Sequence, residues 1–236
     1  IEQLPQVKQV SGALGCPLVE MAGYEADDLI ATLATQAVKH GVDVVIVSAD
    51  KDLTQLVNDR VKVYYPHKGG AEVEWLDAEG VKAKYGVPPE RIRDLLALMG
   101  DTSDNVPGVP GIGPKTAGEL IREFGDLETI LRSAAKVARP ALREKLVAHA
   151  ADARLSMRLV TLKTDAPVEW EPDRWQATSL DEKKAAQLFV ELGFKSLLKS
   201  LGPALDTAAL QEKAAAPETT AVEMPSEILD WQVRLR

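Results

Sequence analysis

Glu25 to Asp50 reads EADDLIATLATQAVKHGVDVVIVSAD. In its first half Leu29, Ile30, Leu33, Ala34, Ala37 and Val38 recur at spacings of three and four. That spacing predicts an amphipathic helix from Glu25 to His40, stopped by Gly41. Val42 to Val47 follows as a β-branched run, nearly continuous in apolar character, as expected of a strand buried on both faces. A helix leading straight into such a strand implies a parallel α/β sheet.

Outward from this stretch, Ile1 to Leu14 has the pattern of a helix and Pro17 to Glu20 that of a short strand. Arg60 to Tyr65 and Ala71 to Trp75 read as two strands, joined as a hairpin at Lys68-Gly69-Gly70. After Pro88-Pro89 the pattern turns helical: Glu90 to Met99, Lys115 to Phe124, Leu127 to Arg132, Ala141 to His149 and Asp152 to Leu162. A short extended piece at Val168-Glu169-Trp170 precedes a last helix from Leu180 to Leu192. From Pro203 to Glu223 the chain is rich in Ala, Thr, Glu and Pro without periodicity and reads as a linker.

The chain has 236 residues, 45% hydrophobic and 27% charged, which is the range of globular proteins with a real core. Cys16 is the only cysteine, so no internal disulfide forms, and no apolar run reaches the roughly 20 residues that cross a bilayer. No charged-then-apolar leader stands at Ile1, so a cytoplasmic location is expected. A net charge of −8 argues at first against an acidic partner. The distribution argues otherwise: between residues 130 and 163, eight Lys and Arg stand against only Glu144 and Asp152. Cations for phosphates beside carboxylates for metals is what a metal-dependent nuclease needs, although a solvated helical face would also show this pattern.

Three acidic clusters stand at element ends: Glu25, Asp27 and Asp28 at the helix start, Asp50 and Asp52 after the strand, and Asp101 and Asp104 further on. Each alone has a structural reading, as a helix-dipole partner, a cap or a turn residue. Their spacing adds a second reading. Asp50 and Asp52 point the same way if the chain leaves the strand extended, and Asp101 and Asp104 share a face in a helical turn. The carboxyl end of a parallel strand is where open α/β sheets place their sites. Seven carboxylates converging there require divalent cations, and all-oxygen ligation suits Mg²⁺ or Mn²⁺. The second signal is Gly108 to Ala117, GVPGIGPKTA. Its glycines Gly108, Gly111 and Gly113 permit a tight hairpin around Ile112, and the amides leading into the next helix make a phosphate site with Lys115 and Thr116.

The strings GYEADD, SADKDLTQLV, LMGDTSDNVPGVPGIGPKTA and ELGFKSLLKSLG, in this order, resemble the 5′ nuclease (flap endonuclease and exonuclease) domain of bacterial DNA polymerase I. The match runs from Ile1 to about Gly202. It implies an α/β fold: a parallel-sheet core over residues 1–100, then a mainly helical DNA-binding region over 101–202 containing a helix-hairpin-helix variant. Residues 203–236 become a linker toward a further domain. By the same resemblance Glu25, Asp27, Asp50, Asp52 and Asp104 are catalytic metal ligands for two Mg²⁺ or Mn²⁺, with Asp28 and Asp101 supporting. Gly108, Gly111, Ile112, Gly113, Lys115 and Thr116 become the duplex-binding element, which also takes a monovalent cation such as K⁺ on its backbone carbonyls. The implied substrates are 5′-flapped or duplex DNA and RNA-DNA primer junctions, met by a monomer at the nucleoid. The family's opening strand, its second strand and its basic arch would lie before Ile1, so a chain truly starting there is expected to have one complete metal site and to cleave poorly. A related-fold ribonuclease and a non-catalytic duplex-binding fragment are the alternatives.

Overall fold

The computed structural model describes residues 3–66 and 73–201. Helix α1 (Leu4–Ala13) begins with Pro in its first turn, where a missing N–H costs nothing. Helix α2 (Ala26–Lys39) and strand β1 (Val44–Val47) form as the sequence predicts, with Gly41 turning between them at φ 79. Pro17 to Glu20, expected as a strand, forms none.

Strands β2 (Val61–Pro66) and β3 (Val73–Leu76) complete a three-stranded sheet in the order β1-β2-β3. β1 runs parallel to β2 in the register Val44 to Val61, whereas β2 and β3 are antiparallel, with Val63 opposite Leu76. The expected turn at Lys68-Gly69-Gly70 and the start of the strand at Ala71 lie outside the described residues. The core is therefore a small mixed sheet, a parallel β1-β2 pair with β3 added antiparallel, within the α/β fold expected. Its inner face carries Ile46, Val61, Val63 and Leu76, all buried. The outer face corrects a second expectation: Val45 and Val47 are 51% and 68% exposed, so β1 is covered on one side only among the described residues. An apolar run records the demand for burial but not which neighbour meets it. On that outer face Tyr64 and Trp75 meet edge to face, their ring centroids 5.1 Å apart.

Helix α3 (Ala78–Tyr85) was not expected from the sequence. Asp77 caps it by accepting the Gly80 N–H at 2.9 Å, and Gly86 ends it in the left-handed conformation. Only Val81 is fully buried, so no apolar stripe announced it. The helical part follows as α4 (Ile92–Met99), α5 (Pro114–Phe124), α6 (Leu127–Arg132), α7 (Pro140–Ala148) and α8 (Ala150–Val160). α4 is the axis of the core, burying Ile92, Leu95, Leu96, Ala97 and Leu98 against α5 and α8. Its buried Asp94 accepts the Leu127 N–H at 2.8 Å and so anchors the start of α6. One hydrophobic cluster runs from Ile46 and Val63 through α4 to Ile130, Leu146 and Val160. The sheet and the helices thus share a core, and residue 100 falls inside the compact unit Val19–Glu171. The segment around Val168, expected to be extended, forms no strand and turns where the Val168 N–H meets the Ala166 carbonyl at 2.7 Å. Instead Gln36 clamps it, donating to the Val168 carbonyl at 2.8 Å and accepting the Trp170 N–H at 2.6 Å.

A second, smaller unit combines the chain up to Leu18 with the chain from Pro172. In it α1 packs on α9 (Glu182–Glu191) through Ala13, Ala185, Leu188 and Phe189, followed by the short α10 (Lys195–Ser200). Residues 203–236, expected as a linker, lie outside the described residues. Among the described residues no helix is long and apolar enough to cross a membrane.

Candidate functional site

The three acidic clusters reach one place by three local devices. Glu25 is the N-cap residue of α2, with Asp27 and Asp28 in its first turn, where the helix dipole favours negative charge. Beyond β1, the Asp50 carboxylate accepts the Asp52 N–H at 2.9 Å, which folds the chain into the 3₁₀ turn Asp52–Leu56. The two side chains are brought together by this turn, not by the extended geometry expected from their spacing. Asp101 and Val106 exchange both backbone hydrogen bonds, at 2.9 and 2.7 Å, around a turn in which Asn105 has φ 55. This segment is a closed turn and not the helical turn anticipated.

Six of the seven carboxylates, those of Glu25, Asp27, Asp28, Asp50, Asp52 and Asp104, line one cavity of about 440 Å³ within the larger unit. Asp101 does not line it. Its carboxylate pairs with Lys51 and accepts the Ser103 N–H and hydroxyl at 2.9 and 2.6 Å, so it stiffens the loop that carries Asp104. Asp28 has a second duty, accepting the Lys163 N–H at 2.8 Å and tying the chain after α8 to α2. Arg158, Thr161 and Lys163 line the same cavity. Arg158 and Lys163 were visible only as members of a basic stretch. Lys51 and Thr161 were missed; the sole signal for Lys51 was its place between two aspartates.

The electrostatics show what this cluster costs without a cation. Burial, then the Asp50 carboxylate, pushes Asp27 up to about 6. Burial and Asp50 likewise push Asp52 up to about 6, against the pull of Lys51. Burial and Asp101 raise Asp104 as well. For Asp101 burial also acts upward, but the hydrogen bonds from Lys51 and Ser103 prevail and hold its carboxyl well below the usual range. Asp52 Oδ1 is buried with no hydrogen-bond partner. A partnerless anionic oxygen in an all-oxygen donor set fits a hard divalent cation. As the side chains stand, no three acidic or His/Cys groups among the described residues are already gathered around a single ion position.

A stability prediction follows. Because Asp27 and Asp52 have folded pKa values near 6 against an ordinary 3.8, the folded chain holds protons that the unfolded chain has released. The metal-free protein is expected to lose stability as pH rises from about 4 to about 6, and to level off above. Asp101 acts oppositely, its gain tailing off between about pH 4 and 5 as the unfolded-state carboxyl finishes ionising, so the loss is clearest from about pH 5 upward. Thermal denaturation in EDTA across this range measures the trend. A melting temperature rising from pH 5 to 7 would count against raised pKa values for Asp27 and Asp52.

The hairpin lies between α4 and α5. Gly108, at φ 61, donates its N–H to the Ser156 hydroxyl at 2.9 Å, and the Val109 N–H reaches the Leu98 carbonyl at 2.8 Å. Val109 and Ile112 are buried, so they anchor the loop, whereas Gly111, Gly113 and Lys115 are exposed and Thr116 is half-buried. Gly113 is the N-cap of α5, Pro114 opens the helix without an N–H, and no side chain caps it. Of the six residues expected to contact DNA, Gly108 and Ile112 are buried, Thr116 is half-buried, and Gly111, Gly113 and Lys115 are exposed.

The acidic cavity thus lies past the end of β1, and Asp104 and Val106 of its lining stand directly before the hairpin in the chain. Residues 1–86 match the family model of the 5′-3′ exonuclease N-terminal resolvase-like domain, and residues 87–183 match that of the 5′-3′ exonuclease C-terminal SAM fold. The chain belongs to the 5′-3′ exonuclease family. It is 44% identical over 200 residues to DNA polymerase I of Bacillus caldotenax and 40% identical over 215 residues to the thermostable DNA polymerase I of Thermus aquaticus. These alignments cover 85% and 91% of this chain but 23% and 25% of the relatives. The chain thus spans about a quarter of the length of the curated relatives it matches. Among solved structures, the phage T5 5′-exonuclease with divalent metal ions (zinc) bound superposes with a TM-score of 0.54 at 23% identity, covering 82% of this chain and 61% of that one. The catalytic core of Rad2 in complex with DNA substrate gives 0.54 at 17% identity, covering 86% and 69%. At these identities the likeness is one of fold.

Proposed function

We propose that this chain is the structure-specific 5′ nuclease part of a DNA polymerase I, hydrolysing phosphodiester bonds near 5′ flaps or ends, and RNA primers, in replication and repair. The observation that carries it is the convergence of six carboxylates on one cavity, one of them with a buried partnerless oxygen. Asp50, Asp52 and Asp104 would hold one divalent cation, and Glu25 and Asp27 would contribute to a second. When bound, Mg²⁺ or Mn²⁺ supplies an activated water and neutralises charge on the leaving oxygen. The chain's own part is to fix those carboxylates, to offer Arg158 and Lys163 to phosphates flanking the cavity, and to hold the duplex at the hairpin. A monovalent cation on the hairpin carbonyls, a monomeric state and work at the nucleoid belong to the same reading.

Cleavage of a 5′-flapped DNA in Mg²⁺, compared with single-stranded RNA, tests the proposal. Flap cleavage lost in EDTA is expected. Preference for single-stranded RNA would point to a ribonuclease of related fold, and binding without Mn²⁺ uptake to a non-catalytic module. For the hairpin, Lys115→Ala is expected to weaken duplex binding about equally across sequences and to lower the salt slope by about one, as for one lost phosphate contact. Sequence-selective loss in a binding titration would count against this.

A further inference from the structure

The chain from Thr161 to Trp170 forms no strand, yet polar side chains hold its backbone in place. Three of them, Asp28, Thr32 and Gln36, stand four apart on α2 and so share one face of it. Asp28 accepts the Lys163 N–H, the Thr32 hydroxyl donates to the Lys163 carbonyl at 3.4 Å and accepts the Ala166 N–H at 3.1 Å, and Gln36 clamps Val168 and Trp170. A fourth, the half-buried Gln55, comes from the 3₁₀ turn that begins at Asp52. Its amide nitrogen donates to the Asp52 carbonyl at 2.8 Å and to the Val160 carbonyl at 2.9 Å, and its amide oxygen accepts the Leu162 N–H at 3.4 Å. Val160 is the last residue of α8, where carbonyls lack a partner within the helix, so Gln55 caps that end from 105 positions away. Both donors and the acceptor of one side chain are thus committed to joining two stretches of backbone. On one stand Asp50 and Asp52, on the other Arg158, Thr161 and Lys163; all five line the acidic cavity, and Gln55 itself does not.

We propose that Gln55 is a positioning residue that fixes the spacing between the carboxylates that hold metal and the cations that face substrate phosphate. This rests on the nuclease reading above and adds to it a residue that touches neither metal nor DNA. A phosphate that bridges a carboxylate-held cation and the Arg158 to Lys163 wall must meet both at once, so the spacing of the two walls counts as well as the strength of each. A misplacement of about 1 Å in such an arrangement costs on the order of a hundredfold in rate. Each wall keeps contacts of its own. α8 packs on α4, while the turn is held by the Asp50 carboxylate on the Asp52 N–H and by the Thr54 hydroxyl on the Lys51 carbonyl. Removing the Gln55 amide therefore loosens the join more than either side of it.

The test measures the walls and the join separately in the 236-residue chain. Its three readouts are Mn²⁺ binding without DNA, binding of 5′-flapped DNA in EDTA, and the factor by which Ca²⁺ tightens that DNA binding. Ca²⁺ takes the same oxygen ligands with longer, looser bonds than Mg²⁺, which favours binding over in-line attack. Gln55→Met keeps the length of the side chain and loses its amide. For it the first two readouts are expected to stay within about threefold of the parent and the third to fall about tenfold, the usual scale of coupling between two sites. Gln55→Glu, which keeps the acceptor and loses both donors, should show the same loss and carries the test if the first variant does not fold. In a Lys163→Gln background the further loss from Gln55→Met should shrink, because the cation it positions is already gone. A Gln55 with a merely structural role would lower the melting temperature and leave the Ca²⁺ effect on the folded protein at its parent value; that result overturns the proposal while the nuclease reading stands. If Ca²⁺ does not tighten DNA binding by the parent, both fail.

Discussion

Asp52→Asn is expected to make the metal-free protein more stable while removing its nuclease activity. The structure places Asp52 where its charge is costly: burial and Asp50 push its pKa up to about 6, and Oδ1 has no partner. A neutral amide of the same shape removes the repulsion, and its NH₂ turns an orphan acceptor into a donor facing carboxylates. With allowance for solvent on the open side, the gain is on the order of 1 kcal/mol, or roughly 2–4 °C in melting temperature. The same change deletes an anionic ligand, so Mn²⁺ affinity should fall by more than the roughly 10–100-fold that even outer partners of a metal site cost. Flap cleavage should drop about a thousandfold or more, the equivalent of about 4 kcal/mol of lost transition-state stabilisation. Asp101→Asn is the matched control, because it neutralises a carboxylate that pairs with Lys51 and takes two bonds from Ser103. It should lower stability by roughly 1–3 kcal/mol, and the melting temperature with it, since a half-buried ammonium loses its counter-charge. If both variants lose stability in EDTA, Asp52 is a structural aspartate and the metal assignment is wrong.

That contrast marks the limit of what the sequence makes legible. Helix α2, strand β1 and the start of α5 announce themselves through apolar spacing, a β-branched run and a proline at the first turn, all properties of a dozen consecutive residues. The carboxylates were legible as clusters for the same reason, and the cavity gathers all but one. Their division of labour was not. Asp101 and Asp104 are three apart and of one chemistry, yet Asp101 faces Lys51 and Asp104 faces the cavity, because the Asp101 to Val106 bridge turns the chain between them. Lys51 pairs with Asp101, 50 positions away, and no local pattern records such a meeting. Single-sided cover of β1 escaped notice for a related reason. Four apolar residues in a row state what the strand would bury, while the layer that buries it is decided elsewhere.

The hairpin glycines sharpen the point, since spacing makes Gly108, Gly111 and Gly113 look equivalent and the structure makes them three different cases. Gly108→Ala is expected to be among the most damaging single changes in the chain. At φ 61 an alanine already pays about 1–2 kcal/mol for the left-handed conformation. Its Cβ would also lie 2.7 Å from both Gly100 Cα and the Met99 carbonyl carbon, which are backbone atoms and cannot swing aside. Gly100 mirrors it, with a Cβ there 2.7 Å from the Val106 carbonyl oxygen, so the loop crosses the end of α4 glycine against glycine. Opening that crossing would also pull the Gly108 N–H from Ser156 and shift Asp101, the next residue after Gly100. A loss of more than about 4 kcal/mol is expected, as for other strained backbone sites, or roughly 8–16 °C in melting temperature. Mn²⁺ binding should weaken with it. Gly111→Ala shares the positive φ, at 78, but meets only the flexible Lys145, so its stability cost should stay near 1–2 kcal/mol. Gly113→Ala has φ −97 and open space, so it should cost only the about 0.5–1 kcal/mol by which alanine is disfavoured at an N-cap. Denaturation of the three variants side by side decides the matter. Equal losses would mean that loop flexibility governs this hairpin, and a graded series would mean that the backbone crossing at Gly108 and Gly100 is what holds the acidic loop against α4.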